Sequence, residues 1–325
     1  MKNIAVFAGL VIMVYSTQPA TAQERLSWPY SFSIVPQFGF FHGQAEEIVY
    51  PSSTHKAELL SQLLWDMKPV FYYGLLLDLS RTRPMERWGF FVTASFKSGV
   101  PGKIGIMEDW DWLSVENDKL TCYSNHDNYT QWIYSIDVSA GLSFPLHPSL
   151  LLKPFINVSY MYLSFYGKDG WGKYARHLGN DRYADINDNP LIENFKGKVI
   201  NYTQRWLIGA PGIALDYHFL EYFTAVLSFQ ISPLILCVDL DQHLTRNIEF
   251  NDYMQWGLFL QPGFSFTIAL FDRLDLAMDC SWRYIAGTRG ETYQRPIGAK
   301  DYMQNGEAGA GLSLVDTGFS IKIRL

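Results

Sequence analysis

Side chains of alternating polarity recur along nearly the whole chain, and a period of two is the signature of an extended strand with one apolar face. Trp132, Tyr134, Ile136, Val138, Ala140, Leu142 and Phe144 alternate with Ile133, Ser135, Asp137, Ser139, Gly141 and Ser143. Leu274, Leu276, Met278, Cys280, Trp282 and Tyr284 alternate with Asp275, Ala277, Asp279, Ser281 and Arg283. The chain closes on Phe319, Ile321, Ile323 and Leu325, set against Ser320, Lys322 and Arg324. No segment of helical length carries the start and stop signals of a helix. The pattern predicts ten strands, over residues 30–41, 59–80, 88–97, 131–144, 151–165, 203–218, 224–243, 253–269, 274–285 and 311–325.

The spaces between these strands alternate strictly, long connections being the first, third, fifth, seventh and ninth. In an antiparallel up-and-down sheet every second connection lies at the same end. A closed outer-membrane barrel has short periplasmic turns, longer extracellular loops and an even strand count. Its outer face must be apolar with aromatic girdles, which gives a place to a composition that is 48% hydrophobic and 16% aromatic but only 18% charged. A soluble β-sandwich would need polar outer faces on both sheets, and these apolar faces are too long and too aromatic for that. The expected fold is therefore all-β: one ten-stranded antiparallel up-and-down transmembrane β-barrel with long extracellular loops.

Met1-Lys2-Asn3, the apolar run from Ile4 to Tyr15 and the small-residue pattern Ala20-Thr21-Ala22 read as a cleaved signal peptide over residues 1–22. The mature chain, residues 23–325, then forms a single barrel domain, and no later apolar run is long enough for a spanning helix. A net charge of −6 argues against a nucleic-acid partner. Cys122, Cys237 and Cys280 are too few and too scattered for a disulfide scaffold or a zinc cage.

Two stretches interrupt the apolar pattern in the same way. Asp109 and Asp111 share one side of Met107-Glu108-Asp109-Trp110-Asp111-Trp112, in the third connection. Asp239, Asp241 and His243 share one side at the end of the seventh strand, opposite Leu234, Leu236, Val238 and Leu240. A carboxylate beside an imidazole fixes its tautomer so that it takes a proton from water, and two adjacent carboxyls raise each other's pKa so that one keeps a proton. Solvated loop aspartates and a rim histidine would give the same spacing. Neither stretch has the Asp-x-Asp-x-Asp-Gly run and terminal Glu of a calcium loop.

These stretches and others resemble the omptin family of outer-membrane proteases. Glu47-Ile48-Val49-Tyr50 is similar to the family's Glu-x-Val-Tyr, and Ser61-Gln62-Leu63-Leu64-Trp65 to its Ser-Gln-Leu-x-Trp. Met107 to Trp112, Ser124-x-His126 and Asp239-x-Asp241-x-His243 follow in the family's order, with weaker agreement at Gln204-Arg205 and Gly309-Ala310-Gly311. The resemblance implies an endopeptidase without a covalent intermediate, in which Asp241 orients His243, His243 is the base, and Asp109 and Asp111 hold the attacking water. It implies that Glu47 and Asp239 line an acidic pocket for a P1 Arg or Lys. Leu120 and Cys122 stand where the family often has a further acidic residue, and Val158, Tyr160 and Tyr162 replace most of its lipopolysaccharide cluster, leaving Arg205. The expected partners are protein or peptide substrates with basic residues and the outer-membrane lipid, for a monomer with no cofactor or metal and its active site facing the exterior of a bacterium. The competing expectation is a non-enzymatic barrel, a pore or a surface adhesin.

Overall fold

The computed structural model describes residues 30–51, 55–81 and 88–325; the signal-peptide segment lies outside the described residues. Ten antiparallel strands form the wall. The first is Ser31–Tyr50, the second Ser61–Arg81, the fourth Cys122–His147, the fifth Leu150–Tyr174, the sixth Lys198–Phe219 and the tenth Met303–Arg324. The other four are each interrupted once. The third is Gly89–Gly99 then Gly102–Asp111, and the seventh is Phe223–Ser232 then Ile235–His243. The eighth is Ile248–Gln255 then Leu258–Phe271, and the ninth is Leu274–Ala286 then Arg289–Pro296. Each strand pairs with its sequence neighbours, and the tenth pairs with the first from Ser33↔Arg324 to Tyr50↔Glu307, which closes the sheet and removes its edges.

Local chemistry explains two of the interruptions. Pro233, between the two pieces of the seventh strand, has no backbone N–H to give the ladder. In the eighth, Trp256 and Gly257 both have positive φ (59° and 149°), a bend that a glycine accepts without strain.

The outer face follows the alternation read from the sequence. Phe71, Tyr73, Leu75, Leu77 and Leu79 point outward, as do Trp132, Ile136, Val138 and Leu142 on the fourth strand and Phe319, Ile321 and Ile323 on the tenth. Cys280 also lies on the outer face, Cys122 and Cys237 are buried, and all three thiols are free.

Two features differ from the sequence expectation. The strands run further toward the long connections: the first continues from 41 to Tyr50, the third to Asp111, the fifth to Tyr174, and the fourth begins at Cys122 rather than 131. Beyond the lipid the outward positions no longer have to be apolar. His42, Gln44 and Glu46 hold those places on the first strand, so the alternation fades while the backbone keeps pairing. The second difference is that aromatic residues also fill the barrel. Trp65 is stacked between Phe165 (5.8 Å between centroids) and Tyr202 (5.1 Å), and Trp206, Phe41, Met67, Met107 and Leu163 are buried in the same core.

This core divides the lumen. Below it lies a polar cavity of about 320 Å³, where Arg283 Nη2 reaches Asp137 Oδ1 at 2.9 Å and Lys97 pairs with Asp316. The second strand shows the order of the layers: Leu63 lines a cavity at the upper mouth, Trp65, Met67, Val70 and Tyr72 are buried, and Leu76 lines the lower cavity. The upper mouth therefore has an apolar floor, and the polar residues above it are held in a closed-bottomed groove.

Candidate active site

Register places the acidic residues. On the upper seventh piece Asp239, Asp241 and His243 face inward, while Leu236, Val238 and Leu240 face outward, as the period of two requires. Asp239 stands opposite Gln204 on one side and Asp252 on the other; Asp241 stands opposite Tyr202 and Phe250. Asp109 and Asp111 are on the upper third piece, opposite Leu63 and Ser61 of the second strand, and not in a loop. Glu47, expected in the first loop, is on the first strand and also opposite Leu63. The extra strand length described above is what moves these three carboxyls from connections onto the wall.

Two cavities open at this mouth. Asp109, Asp111, Leu113, His243 and Arg246 line both and form the partition between them. The acidic cavity, about 140 Å³, adds Glu47, Asp241 and Asp252. The other, about 340 Å³, adds mostly apolar and aromatic groups, among them Met107, Cys122, Tyr174, Phe195 and Ile200, together with Glu193. The structure thus brings together Glu47, Asp109, Asp111, Asp241 and His243. Asp239 is buried one layer back, where Tyr202 donates its hydroxyl to Oδ2 at 2.9 Å. Gln204 donates to the Tyr202 oxygen (2.7 Å) and accepts from Trp206 Nε1 (3.1 Å), so this chain of hydrogen bonds is anchored in the aromatic core.

The dyad geometry is specific. His243 Nε2 lies 2.5 Å from Asp241 Oδ2. Facing a carboxylate, which only accepts, Nε2 is the nitrogen that donates, and facing a guanidinium, which only donates, Nδ1 is the nitrogen that accepts. The guanidinium of Arg246 contacts the imidazole at Nδ1 and lies 3.0 Å from Nε2, on the cavity side of the ring. Phe250 meets the ring edge-on at 5.7 Å and limits its rotation.

The carboxyls are strongly perturbed. Burial, then Asp111, pushes Asp109 well above the usual range; Ser61 donates to it at 3.4 Å. Burial also raises Asp111, against the opposing effects of Ser61, Arg246 and His243. Glu47 is pushed well up by burial and then by Asp241, Asp239 and Asp252. Burial raises Cys122 to about 12, so this thiol at the edge of the larger cavity stays protonated and is a poor nucleophile.

Ser124 and His126 form a hydroxyl–imidazole contact, at 3.2 Å. Nδ1 of His126 donates to the Asp169 carbonyl at 2.6 Å, and burial lowers its pKa, so no carboxylate supports this ring as a base. Asp252 joins the acidic group although neither sequence motif contains it. It is 1% exposed, borders the acidic cavity and approaches Asp239 and Thr292 within hydrogen-bonding range. Its available signal was the inward alternation of Phe250, Asp252 and Met254, with a charge on the face that is otherwise apolar.

Residues 28–324 match the family model described as the omptin family. The plasminogen activator of Yersinia pestis is 23% identical over 257 residues, 78% of this chain and 76% of that protein. The crystal structure of the outer membrane protease OmpT of Escherichia coli superposes with a TM-score of 0.78 at 19% identity, covering 94% of this chain and all of that one.

Proposed function

The chain belongs to the omptin family of outer-membrane proteases, and from that premise we propose that it is an endopeptidase cutting after Arg or Lys at the outward mouth of its barrel. The observation that carries the reading is the contact of His243 Nε2 with Asp241 at 2.5 Å, in a wall shared with Asp109 and Asp111. Nδ1 of His243 takes a proton from a water held at Asp109 and Asp111 as the water oxygen bonds to the scissile carbonyl carbon. Asp241 accepts the Nε2–H and holds the ring in that tautomer. A carboxyl of the Asp109–Asp111 pair that retains its proton donates to the developing oxyanion, which burial makes effective. The Nδ1 proton then passes to the leaving nitrogen as the C–N bond breaks, giving a carboxyl and an amine with no enzyme-bound intermediate. Arg246 has to leave Nδ1 for the water to enter.

Carboxyls in the acidic cavity suit a cationic P1 side chain, with Glu47 at its wall and Asp239 behind. The mouth lies at the end with the long connections, the end that faces outward in a single-chain outer-membrane barrel. The aromatic core across the lumen counts against a pore as the alternative. No cofactor or metal takes part in this mechanism, and the chain acts as a monomer in outer-membrane lipid.

The test is cleavage of a mixed peptide library by the purified, refolded protein, with products read by mass spectrometry. Cuts confined to bonds after Arg and Lys are expected, relaxed by Glu47→Gln. No cleavage, with or without lipid, would leave the adhesin reading.

A further inference from the structure

The acidic cavity contains a carboxylate that neither motif includes. Asp252 enters from the eighth strand, in the register Asp239↔Asp252 set by the turn between the seventh and eighth strands. It borders the cavity directly, whereas Asp239 is covered by Tyr202 and does not. Its side chain is almost completely buried, and its Oδ1 receives no hydrogen bond from a described residue. The same holds for Glu47 Oε2, Asp239 Oδ1 and Asp241 Oδ1. Four buried carboxyl oxygens without donors, on three strands, three of them from residues lining one cavity and the fourth from Asp239 just behind it, make an arrangement that folding alone does not favour, because each unmade hydrogen bond to a buried polar group is costly.

We propose that Asp252 is the specificity-determining residue that meets the P1 side chain, and that its placement among Glu47, Asp239 and Asp241 selects a guanidinium over an ammonium. This rests on the reading of the acidic cavity as the P1 site. A guanidinium presents five N–H donors in a planar fork and reaches several acceptors on different walls at once. An ammonium is a compact point charge with three donors, so it leaves part of the ring of oxygens unmatched. Asp252 and Asp241 supply acceptors from neighbouring strands and Glu47 from across the mouth, which is a fork-shaped demand. Asp239 acts one step removed. Held by Tyr202, it keeps its proton through burial and donates a hydrogen bond to Asp252, which fixes where Asp252 sits.

Asp252→Asn keeps the size of the side chain and its reach to Thr292 while removing the charge. Two peptide substrates differing only in Arg or Lys at P1 are compared, with a third bearing an uncharged P1. For the native protein the Arg peptide is preferred. Asp252→Asn should raise KM for the Arg peptide about tenfold or more and collapse the Arg-to-Lys ratio, with the loss concentrated in KM, since a charged partner at a bidentate site is worth about a factor of ten or more. Asp239→Asn should change that ratio less. An equal loss on all three peptides would mean a structural role and overturn the proposal. So would an unchanged Arg-to-Lys ratio in Asp252→Asn, or a larger effect of Asp239→Asn.

Binding of the fluorescent amidine p-aminobenzamidine, measured on His243→Ala with and without Asp252→Asn, separates this from proteolysis itself. Binding that weakens with Asp252→Asn supports the assignment even if no peptide is cut. A native cavity that does not bind the amidine refutes it whatever the peptidase result.

Discussion

Asp252 also carries the clearest stability prediction. Burial raises it to about 6 from an ordinary 3.8, against hydrogen bonds from Thr292 and Asp239 that lower it, with Asp241 raising it further. A displacement of that size corresponds to about 3 kcal/mol at 1.36 kcal/mol per pKa unit. The sign follows from proton binding. Between pH 4 and 6 the folded state holds the Asp252 proton while the unfolded chain has released it, so stability falls as pH rises through that window. Above about pH 7 the full cost of an ionised, buried carboxylate is present, and below pH 4 none of it is. Asp252→Asn removes the cost. In urea titrations of the refolded barrel in lipid vesicles, followed by tryptophan fluorescence, the variant should gain up to about 3 kcal/mol over the native protein at pH 7.5 and almost nothing at pH 4. Glu47, Asp109, Asp111 and Asp239 are raised as well, so both proteins lose stability with pH; the difference between them reports Asp252 together with the charge it imposes on Asp239 and Glu47. A variant no more stable at pH 7.5, or equally stabilised at pH 4, would show that Asp252 is not a costly buried charge. The stabilised variant should also be the one that loses Arg selectivity, because the same unpaired charge serves binding.

Three further outcomes are expected. Asp241→Asn should lower kcat by about three to four orders of magnitude, since an amide at this position no longer fixes the Nε2–H tautomer, and should raise KM for the Arg peptide as well, since Asp241 also faces the P1 side chain. Ser124→Ala should retain activity within a few-fold, measured on the same peptide, because His126 is tied to a backbone carbonyl; a loss comparable to that of Asp241→Asn would move the nucleophile to Ser124. Trp65→Ala should cost about 3–5 kcal/mol in urea unfolding through the cavity it opens between Phe165 and Tyr202. It should also lower kcat, since Tyr202 loses the surface that positions it against Asp239. Full stability in that variant would show that the core layer does not hold the site floor.

The parts of the molecule that face lipid were legible in the sequence. Trp132 to Phe144 and Phe319 to Leu325 alternate because one face must be apolar, and ten such runs with alternating connections leave little besides a barrel. Above the lipid that constraint ends. Gln44 and Glu46 on the first strand and Asn125 and Asp127 on the fourth are compatible with loop or strand, so the upper strands, and with them the places of Glu47, Asp109 and Asp111, were not readable. Asp239, Asp241 and His243 were readable together because a strand puts residues two apart on one face. Asp252 was not, because its partnership with Asp239 is a cross-strand register that depends on the intervening turn. The buried aromatic layer was hidden for another reason: Trp65 and Tyr202 have the same composition signal as girdle residues, and only the pleat decides which face they occupy.

In the proposed mechanism His243, held by Asp241, activates water for peptide hydrolysis. The most direct measurement is the single-turnover rate on an Arg-P1 peptide, comparing the native barrel with His243→Ala refolded to the same heat-modifiable gel mobility. Rapid cleavage by the native protein without a burst of covalently held product is expected, with a loss of about three orders of magnitude or more in the variant. A variant that cuts at the native rate, or a native protein that accumulates an acyl-enzyme, would contradict it.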